Sequence, residues 1–280
     1  MHGAAGPLNF AKLHGAGNDF LVFDGRADAS LEDRLPMLVP ALCDRRLGLG
    51  ADGVLLLVPV SEGALRVVYW NADGSEAAFC ANGTRCAARF AAVRWHWKDM
   101  VLHTGFAPIP AAVEGERVTL SLPAPSVVHS VRELGAGGLR VKAWYLVLGV
   151  PHLVVKVPWT DFWKHALAPL APDLRRHAQL PHGGANVTLV QPQDDGGLWA
   201  RSWERGIEGE TLSCGSGSVA SALTALAEAW VAAPVAVRTA SGRTLWVDPD
   251  GDPPSCPSRL TGPAEWVANG AVHAEFLTGM

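Results

Sequence analysis

Short apolar runs, separated by glycine, proline and charged residues, make up most of this chain. Their β-branched and aromatic content is typical of strands, and the residues between them favour turns. The pattern therefore predicts a strand-rich protein. The predicted strands cover residues 20–23, 54–58, 65–70, 118–122, 143–148, 153–157, 185–190, 198–203, 235–239 and 244–247.

Helical patterns are confined to a few segments. Apolar and alanine-rich stretches predict helices over residues 31–46, 84–95 and 218–232, and a shorter one over 158–170. Strands that surround a few helices predict an α+β architecture. A last apolar run, 272–277, predicts one more strand.

Two breaks in the pattern divide the chain into halves. Proline and polar residues concentrate in Leu122-Pro-Ala-Pro-Ser126, and a second break lies near residue 270. We therefore expect an N-terminal half over residues 1–123, completed by 271–280, and a C-terminal half over 124–270.

Each predicted half contains one copy of the same short cysteine motif. Cys80-Ala-Asn-Gly-Thr84 and Cys214-Gly-Ser-Gly-Ser218 each precede an alanine-rich helical stretch. The two cysteines are 134 residues apart (214 minus 80), about the length of one small domain. The repeat therefore predicts two related halves, each with a cysteine at the start of a helix.

A thiol at a helix start is placed for chemistry, because free N–H groups and the positive end of the helix dipole favour its ionisation. Two such thiols indicate a matched acid and base. The backbone N–H groups beside them, those of Ala81, Asn82, Gly215 and Ser216, are expected to bind an anion such as a carboxylate.

Burial is the ordinary role of a free cysteine, and it is the alternative for both motif cysteines. The repeated glycine and helix start argue against it, since a buried thiol needs neither. Cys43 and Cys86 lie inside predicted helices and are expected to be buried, whereas Cys256 lies in a proline-rich loop and is expected to be exposed.

Composition excludes several classes of protein. With 280 residues and 49% hydrophobic content the chain is expected to be globular, and its net charge of −4 argues against a nucleic-acid partner. No apolar run approaches the roughly 18 residues of a membrane helix, and the N-terminus lacks a signal-peptide pattern. Five cysteines, an odd number, do not form a secreted disulfide framework, so a reducing cytoplasm is expected.

No cofactor is expected. Gly48-Leu-Gly50-Ala-Asp-Gly53 matches the dinucleotide fingerprint, but a helical stretch precedes it and a strand follows, which is the reverse of the required context. The histidines and cysteines show no spacing typical of zinc, so a metal is not expected either.

Ten polar segments spread from about residue 10 to 270 carry the rest of the information. They are Lys12-Leu-His-Gly-Ala-Gly-Asn-Asp-Phe20, Gly50-Ala-Asp-Gly-Val54, Asn71-Ala-Asp-Gly-Ser-Glu76, Cys80-Ala-Asn-Gly-Thr-Arg-Cys86, Pro151-His152, Asn186-Val-Thr-Leu-Val-Gln191, Trp203-Glu-Arg-Gly206, Glu210-Thr211, Cys214-Gly-Ser-Gly217 and Gly262-Pro-Ala-Glu265. In this order they resemble the diaminopimelate epimerase family.

The resemblance implies an isomerase that interconverts LL- and meso-diaminopimelate without cofactor or metal, in the biosynthesis of lysine and peptidoglycan. It implies two pseudo-symmetric halves, each a strand-rich barrel around a central helix, with Cys80 and Cys214 as the catalytic thiols. A small-molecule substrate and a homodimer are implied as well.

The family's other site residues carry over onto matching positions of this chain. The resemblance implies that Arg205 pairs with the distal carboxylate of the substrate, with hydrogen bonds from Asn71 and Asn186. Glu204 and the backbone near Arg205 would hold the distal ammonium, and Asn18 the reacting end. His152 is implied to support one thiol, together with Glu204.

Three positions depart from the family pattern. Ala81 stands where many members have glycine, which a helix start tolerates if its backbone angles are ordinary. Val150 replaces an asparagine, which removes one hydrogen bond to the distal carboxylate. Gly53 replaces a glutamine near the α-amino group, so that contact is expected from the backbone instead.

Two other classes of function stay open at this point. A racemase or isomerase of the same fold would keep the thiols but change the residues around the distal end of the substrate. A thiol-based redox or binding protein would instead cycle its cysteines through a disulfide.

Overall fold

The computed structural model describes residues 8–181 and 183–278. Its helices are α1 (Leu31–Cys43), α2 (Ala81–Arg94), α3 (Leu170–Arg175), α4 (Gly215–Ala227) and α5 (Ala274–Thr278). Its strands are β1 (Leu8–Gly15), β2 (Asn18–Asp24), β3 (Gly53–Ser61), β4 (Ala64–Asn71), β5 (Asp99–His103), β6 (Pro108–Glu114), β7 (Arg117–Leu122), β8 (Val127–Ala136), β9 (Leu139–Leu148), β10 (Val150–Lys156), β11 (Asn186–Pro192), β12 (Leu198–Glu204), β13 (Gly209–Thr211), β14 (Val235–Arg238), β15 (Thr244–Pro249), β16 (Ser258–Pro263) and β17 (Glu265–Val272).

The chain divides into two compact units. Among the described residues, the first unit runs through Val118 and resumes at Ala264, and the second unit is Thr119–Pro263. The sequence placed these changes after residues 123 and 270. Residues 1–7, 279 and 280 of the predicted N-terminal half lie outside the described residues.

Both units repeat one order of strand pairing. In the first unit the pairs β1–β2, β2–β3, β3–β4, β4–β5 and β5–β6 are in turn antiparallel, parallel, antiparallel, parallel and antiparallel. In the second unit β9, β10, β11, β12, β14 and β15 pair in the same sequence of directions. The predicted duplication is therefore confirmed.

Each unit encloses one helix that begins directly after a motif cysteine. Helix α2 packs against β1 to β6, and α4 packs against β9 to β12 and β14 to β16. Most of the residues in both helices are buried and small, chiefly alanine, glycine, serine and threonine. Small side chains allow a helix to be covered by strands on all sides, so the predicted barrel around a central helix is confirmed.

Both central helices begin three residues earlier than the sequence predicted. The predicted helices began after Gly83 and Gly217, and glycine in a helix interior is unfavourable. The structure gives the reason for these glycines: a Cβ on Gly217 would lie 2.8 Å from the Thr188 hydroxyl oxygen, and one on Gly83 would lie 3.3 Å from the Leu55 side chain. Close packing against strands therefore outweighs helix propensity here.

Other predictions of local structure succeeded or failed for identifiable reasons. Ten of the eleven predicted strands are present, whereas β1, β5, β6, β8, β13, β16 and β17 were missed because their apolar runs are short or interrupted. The predicted helix over 158–170 is wrong, since turns occupy that segment and α3 begins at Leu170. The predicted strand over 272–277 is also wrong, because β17 ends at Val272 and α5 follows.

The three cysteines outside the motifs are all buried. This confirms the prediction for Cys43 and Cys86, while the predicted exposure of Cys256 is wrong: only 4% of it is exposed. Burial raises the pKa of Cys43 to about 12 and raises that of Cys86 as well. Both thiols are therefore protonated at neutral pH.

The described part of the chain contains no helix that is both long and apolar enough to cross a membrane.

Candidate active site

Cys80 is the N-cap residue of α2. Its backbone is extended (φ −142°, ψ 110°), and the Gly83 N–H donates to its Sγ at 3.5 Å. The side chain is partly exposed. Ala81, where many family members have glycine, is the first helical residue, so alanine fits there without strain. The thiol thus lies beside the N–H groups of a helix start, as the sequence predicted.

Asn18 and Asn82 lie beside this thiol. The Cys80 Sγ lies 3.6 Å from Asn18 Oδ1, and Asn82 Nδ2 donates to the same oxygen at 3.3 Å. Asn18 Nδ2 in turn donates to Asp52 Oδ2 at 2.7 Å. The structure therefore brings three predicted site residues together, and it adds Asp52, which sequence reasoning noticed only as a part of Gly50-Ala-Asp-Gly-Val54.

Arg85 is a second residue that sequence reasoning quoted without assigning a role. It is fully buried on α2 and donates to Asn82 Oδ1 at 2.8 Å and to the Ala81 carbonyl at 3.3 Å. Burial lowers the pKa of its guanidinium to about 10, so Arg85 is still a cation at neutral pH. The positive charge of Arg85 therefore lies beside the first turn of α2, directly after Cys80.

Asn71 ends β4 and begins a tight turn. Its Nδ2 donates to the Ser75 hydroxyl at 3.1 Å, and its backbone N–H donates to the Ser75 carbonyl at 2.9 Å. In the sheet it is paired with Gly53, which is paired on its other side with Phe20. Asn71 thus has a structural role in this turn in addition to the substrate contact that the resemblance implies.

Gly53 leaves no room for a side chain. A Cβ there would lie 2.5 Å from the Trp70 carbonyl oxygen and 2.7 Å from the Tyr69 ring. The Trp70 carbonyl and the Tyr69 ring thus occupy the space that a side chain at residue 53 would need.

Substitution of Gly53 by alanine is expected to destabilise the protein by about 2 kcal/mol, because overpacking against a backbone carbonyl forces the strands apart. The free energy of unfolding measured in urea checks this. Gly135→Ala is the matched control, since a Cβ at that strand position meets no atom within 4 Å. Equal stability of the two variants would contradict the packing argument.

Cys214 is the N-cap residue of α4 and repeats the geometry of Cys80. Its backbone is extended (φ −114°, ψ 106°), and its Sγ lies 3.9 Å from the Ser216 hydroxyl. In both motifs the final hydroxyl donates to the cysteine carbonyl at 2.9 Å: Thr84 to Cys80 and Ser218 to Cys214. This shared bond explains why the pentapeptides end in threonine or serine.

His152, Asn186 and Glu204 lie on one face of three adjacent strands. His152 pairs with Asn186 across β10 and β11, and Asn186 precedes Val187, which pairs with Trp203 across β11 and β12. Alternation along the strands then places the Glu204 side chain on the face of Asn186. The sheet thus aligns three predicted site residues of the second unit.

Two hydrogen bonds fix the side chains of Asn186 and Glu204. The backbone N–H of Arg205 donates to Asn186 Oδ1 at 2.8 Å, and the Thr211 hydroxyl donates to Glu204 Oε1 at 2.5 Å. Arg205 itself is exposed, in the turn after β12. Val150, the third departure from the family pattern, is the half-buried first residue of β10.

His152 is fully buried, and neither ring nitrogen has a hydrogen-bond partner among the described residues. Burial, and secondarily the charge of Arg205, lowers the pKa of the imidazole to about 3. At neutral pH His152 is therefore an uncharged imidazole, able to accept or donate a proton in a hydrogen bond but not to act as a cation.

This burial predicts a pH dependence of stability. In the unfolded chain the His152 imidazole binds a proton below the ordinary histidine pKa of 6.5, whereas in the folded protein it stays unprotonated down to about pH 3. Stability therefore falls as pH falls from 6.5 towards 3, by about 1 kcal/mol per pH unit from this residue. In the first unit the corresponding strand position, on β2, is occupied by Phe20. His152→Phe is therefore expected to reduce the pH dependence of the free energy of unfolding, measured in urea between pH 4 and 6.5.

His273→Gln is the control for this slope, because that histidine is 77% exposed. An unchanged slope in His152→Phe would show that the buried imidazole does not cause the pH dependence.

The two units thus each present a thiol at a helix start, with first-turn N–H groups for an anion and polar side chains at the adjoining strand ends. Within the described residues, no three histidine, cysteine or acidic side chains are grouped in a way that fits a metal ion.

Comparison with known proteins agrees with these features. The family model described as diaminopimelate epimerase matches residues 10–106 and 144–267. Diaminopimelate epimerase of Gemmatimonas aurantiaca is 37% identical over 248 residues, covering 86% of this chain and 88% of the relative. That of Methanocella arvoryzae is 33% identical over 282 residues, covering 96% and 98%.

Solved structures show the same fold at low identity. A phenazine biosynthesis protein of the PhzF family from Enterococcus faecalis has a TM-score of 0.72 at 12% identity and covers 95% of this chain and 99% of its own. A hydroxyproline epimerase from Agrobacterium vitis has a TM-score of 0.65 at 18% identity and covers 95% and 91%.

Proposed function

Because this chain belongs to the diaminopimelate epimerase family, we propose that it is an isomerase that interconverts LL- and meso-diaminopimelate. The observation that carries the proposal is the matched pair of thiols, Cys80 and Cys214, each at the start of a buried helix in a duplicated unit. A reaction that inverts one stereocentre needs a base on one face and an acid on the other, and duplication supplies two equivalent groups.

In the proposed mechanism one thiolate removes the α-proton from one face of the α-carbon and the other thiol donates a proton to the opposite face. The two exchange roles in the reverse reaction. Each must therefore be able to exist in both protonation states near the working pH. Helix-start N–H groups support this for both cysteines, because they stabilise a thiolate.

The α-proton of an amino acid is only weakly acidic, so the developing carbanion needs stabilisation. As the proton leaves, negative charge moves onto the α-carboxylate, and we assign its binding to the N–H groups of Ala81, Asn82, Gly215 and Ser216. Preorganised donors of this kind are worth about 3 to 4 kcal/mol each in acyl-transfer enzymes. This binding takes the place of a cofactor as the means of stabilising charge.

Polar residues at strand ends fit the distal end of the substrate. Arg205 is assigned to the distal carboxylate, because its planar guanidinium can donate two parallel hydrogen bonds. Asn71 and Asn186 add hydrogen bonds to that end, and Glu204 with the backbone near Arg205 binds the distal ammonium. A site built from such groups rejects amino acids that lack their partners.

Asn18 and His152 are assigned supporting roles. Asn18 contacts Cys80 and holds the reacting end of the substrate. His152, an uncharged imidazole, supports a thiol by hydrogen bonding, together with Glu204, rather than as a charged partner.

The proposed cellular role follows from the reaction. Epimerisation of diaminopimelate serves the biosynthesis of lysine and peptidoglycan, in the cytoplasm, where thiols stay reduced. We also propose that the protein is a homodimer, that the two units are the two catalytic halves and that no nucleic acid or membrane takes part.

The experiment that tests the proposed function is proton NMR in deuterium oxide with the reduced protein and LL-diaminopimelate. Loss of the α-proton signal together with appearance of the meso isomer is expected. Exchange only with another amino acid would indicate a sister racemase, and no exchange with any of a panel would favour a redox or binding protein.

A further inference from the structure

The Asn18 amide joins a carboxylate to a catalytic thiol. Its Nδ2 donates to Asp52 Oδ2 at 2.7 Å, and its Oδ1 accepts from Asn82 Nδ2 at 3.3 Å and lies 3.6 Å from Cys80 Sγ. Asn18 therefore presents different atoms to its two sides.

Charged neighbours fix the direction of both amides. If Asn18 were turned over, its oxygen would lie against the Asp52 carboxylate oxygen, and two acceptors at 2.7 Å repel. If Asn82 were turned over, its NH₂ group would face the Arg85 guanidinium, where only an oxygen can bond. The oxygen of Asn18 consequently faces Cys80.

An amide oxygen can only accept a hydrogen bond, so it distinguishes the two states of the thiol. The S–H form of Cys80 donates to Asn18 Oδ1, whereas a thiolate would place negative charge against the negative end of the amide dipole. The Gly83 N–H, 3.5 Å from the sulfur, can donate to either form and favours the thiolate. Asn18 is thus the neighbour that favours the protonated thiol.

Asp52 is itself held in place. Arg45 donates to its Oδ1 at 2.6 Å, and the backbone N–H of Asp19 donates to its Oδ2 at 3.2 Å. These bonds keep the carboxylate in one orientation, so it can hold the Asn18 amide firmly.

Charged and titratable groups lie around the Asn18–Cys80 contact on several elements. Helix α2 contributes a buried cation and a protonated thiol, and strands β1 and β2 with the segment between α1 and β3 contribute two carboxylates offset by two cations. They are Arg85, Cys86, Asp19, Asp52, Lys12 and Arg45.

The other thiol has a different neighbour. The Ser216 hydroxyl, 3.9 Å from Cys214 Sγ, can rotate and donate to a thiolate. The two halves thus differ in one polar neighbour of the sulfur: a fixed acceptor, Asn18 Oδ1, at Cys80 and a hydroxyl at Cys214.

We propose that Asp52 is a positioning residue that keeps Cys80 protonated. By accepting a hydrogen bond from Asn18 Nδ2 it keeps Asn18 Oδ1 facing the Cys80 thiol. In the free enzyme Cys80 is therefore the acid and Cys214 the base. The assignment of acid and base rests on the proposed two-thiol reaction.

The test is alkylation by iodoacetamide between pH 5 and 10 without substrate, with the rate at Cys80 followed by mass spectrometry of its peptide. Asp52→Asn frees the Asn18 amide to turn and offer NH₂ to the sulfur. We expect the alkylation midpoint to fall by about one pH unit, which is about tenfold faster labelling at pH 7.

Loss of a negative charge alone also favours a thiolate, so Asp19→Asn is the matched control. The Asp19 carboxylate belongs to the same cluster but bonds Arg45, Lys12 and the backbone N–H of Asp52. A smaller shift in Asp19→Asn than in Asp52→Asn supports orientation, and equal shifts overturn it.

Asn18→Leu tests the contact directly if Asp52→Asn does not fold. Removal of the acceptor is expected to lower the midpoint as well, and an unchanged midpoint would overturn the proposal. These midpoints need no substrate, so they are separate from the NMR assay. Absence of epimerisation in the unaltered protein would refute the proposed function. The alkylation midpoints instead test whether Cys80 is protonated in the free enzyme.

Discussion

Replacement of Cys80 or of Cys214 by alanine is expected to lower kcat for epimerisation of diaminopimelate by about 10³-fold or more. General acid–base groups contribute about 10² to 10⁴ each, and inversion needs both thiols in the same turnover. The conversion of LL- to meso-diaminopimelate, followed by chiral chromatography, measures this loss. It is the largest effect expected for any substitution in this protein.

A single remaining thiol can still remove a proton from the face that it contacts. We therefore expect each variant to exchange the α-proton of one stereoisomer with solvent deuterium while inversion is lost. Such exchange without inversion would separate the roles of the two thiols. An exchange rate equal for both stereoisomers in one variant would be inconsistent with one thiol per face.

Cys256→Ala is the matched control for these substitutions. Its thiol is buried like that of Cys214, at 4% and 6% exposure, but lies in the loop before β16 and outside both motifs. Activity in this variant is expected to be unchanged. Full activity in Cys80→Ala or Cys214→Ala would refute the two-thiol mechanism.

Arg205→Met is expected to lower kcat/KM for diaminopimelate by about 10² to 10³-fold, because removal of one partner of a desolvated ion pair costs about 3 to 5 kcal/mol. Arg205→Lys keeps the charge but not the bidentate geometry, so a loss of about tenfold is expected. The Arg205 side chain is exposed in the turn after β12, so its removal leaves the core of the second unit intact. Steady-state kinetics and a thermal unfolding scan measure both effects.

Specificity should change together with affinity. Lysine is diaminopimelate without its distal carboxylate. In the unaltered protein it therefore lacks the group that is assigned to Arg205, whereas in Arg205→Met neither substrate has a guanidinium to bind. We expect the preference for diaminopimelate over lysine, measured as the ratio of kcat/KM values, to fall at least tenfold in the variant.

Arg176→Met is the control for removal of an exposed arginine. Its side chain is 69% exposed and pairs with Glu208, so little change in kinetics or stability is expected. If Arg176→Met and Arg205→Met lost activity equally, general electrostatic attraction of the substrate would explain the result better than a specific contact.

Local patterns in the sequence were sufficient for the strands and for the duplication. Ten of the eleven predicted strands are present, because their apolar runs are continuous and bounded by turn residues. The repeated pentapeptides located both helix-start cysteines, although not the first helical residues, since the Thr84 and Ser218 hydroxyls make the same bond to the cysteine carbonyl. A repeated local bond leaves a repeated local motif.

Predictions failed where long-range contacts outweigh local preference. Gly83 and Gly217 lie inside helices because strands pack closely against them, and no local rule reveals such a neighbour. The same holds for Cys256: its proline-rich loop has a composition typical of exposed loops, but the thiol is buried. Burial of this kind depends on residues distant in the chain.

Side-chain partners across the fold were likewise decided by tertiary structure. Asn18 is 34 residues from Asp52 and 62 from Cys80 in sequence, and only the parallel pairing of β2 with β3 and the packing of α2 bring the three together. The lowered pKa of His152 arises from complete burial of the imidazole, which the local sequence of its strand does not indicate.

The fold class, the duplication, the position of both helix-start cysteines and the family could thus be predicted from the amino-acid order, because each is encoded in continuous segments or in their order. The tertiary structure alone decided that Tyr69 fills the space beside Gly53, that His152 is uncharged and that Asp52 directs the Asn18 amide towards Cys80. These properties depend on distances and desolvation between residues far apart in the chain, and such quantities exist only once the chain has folded.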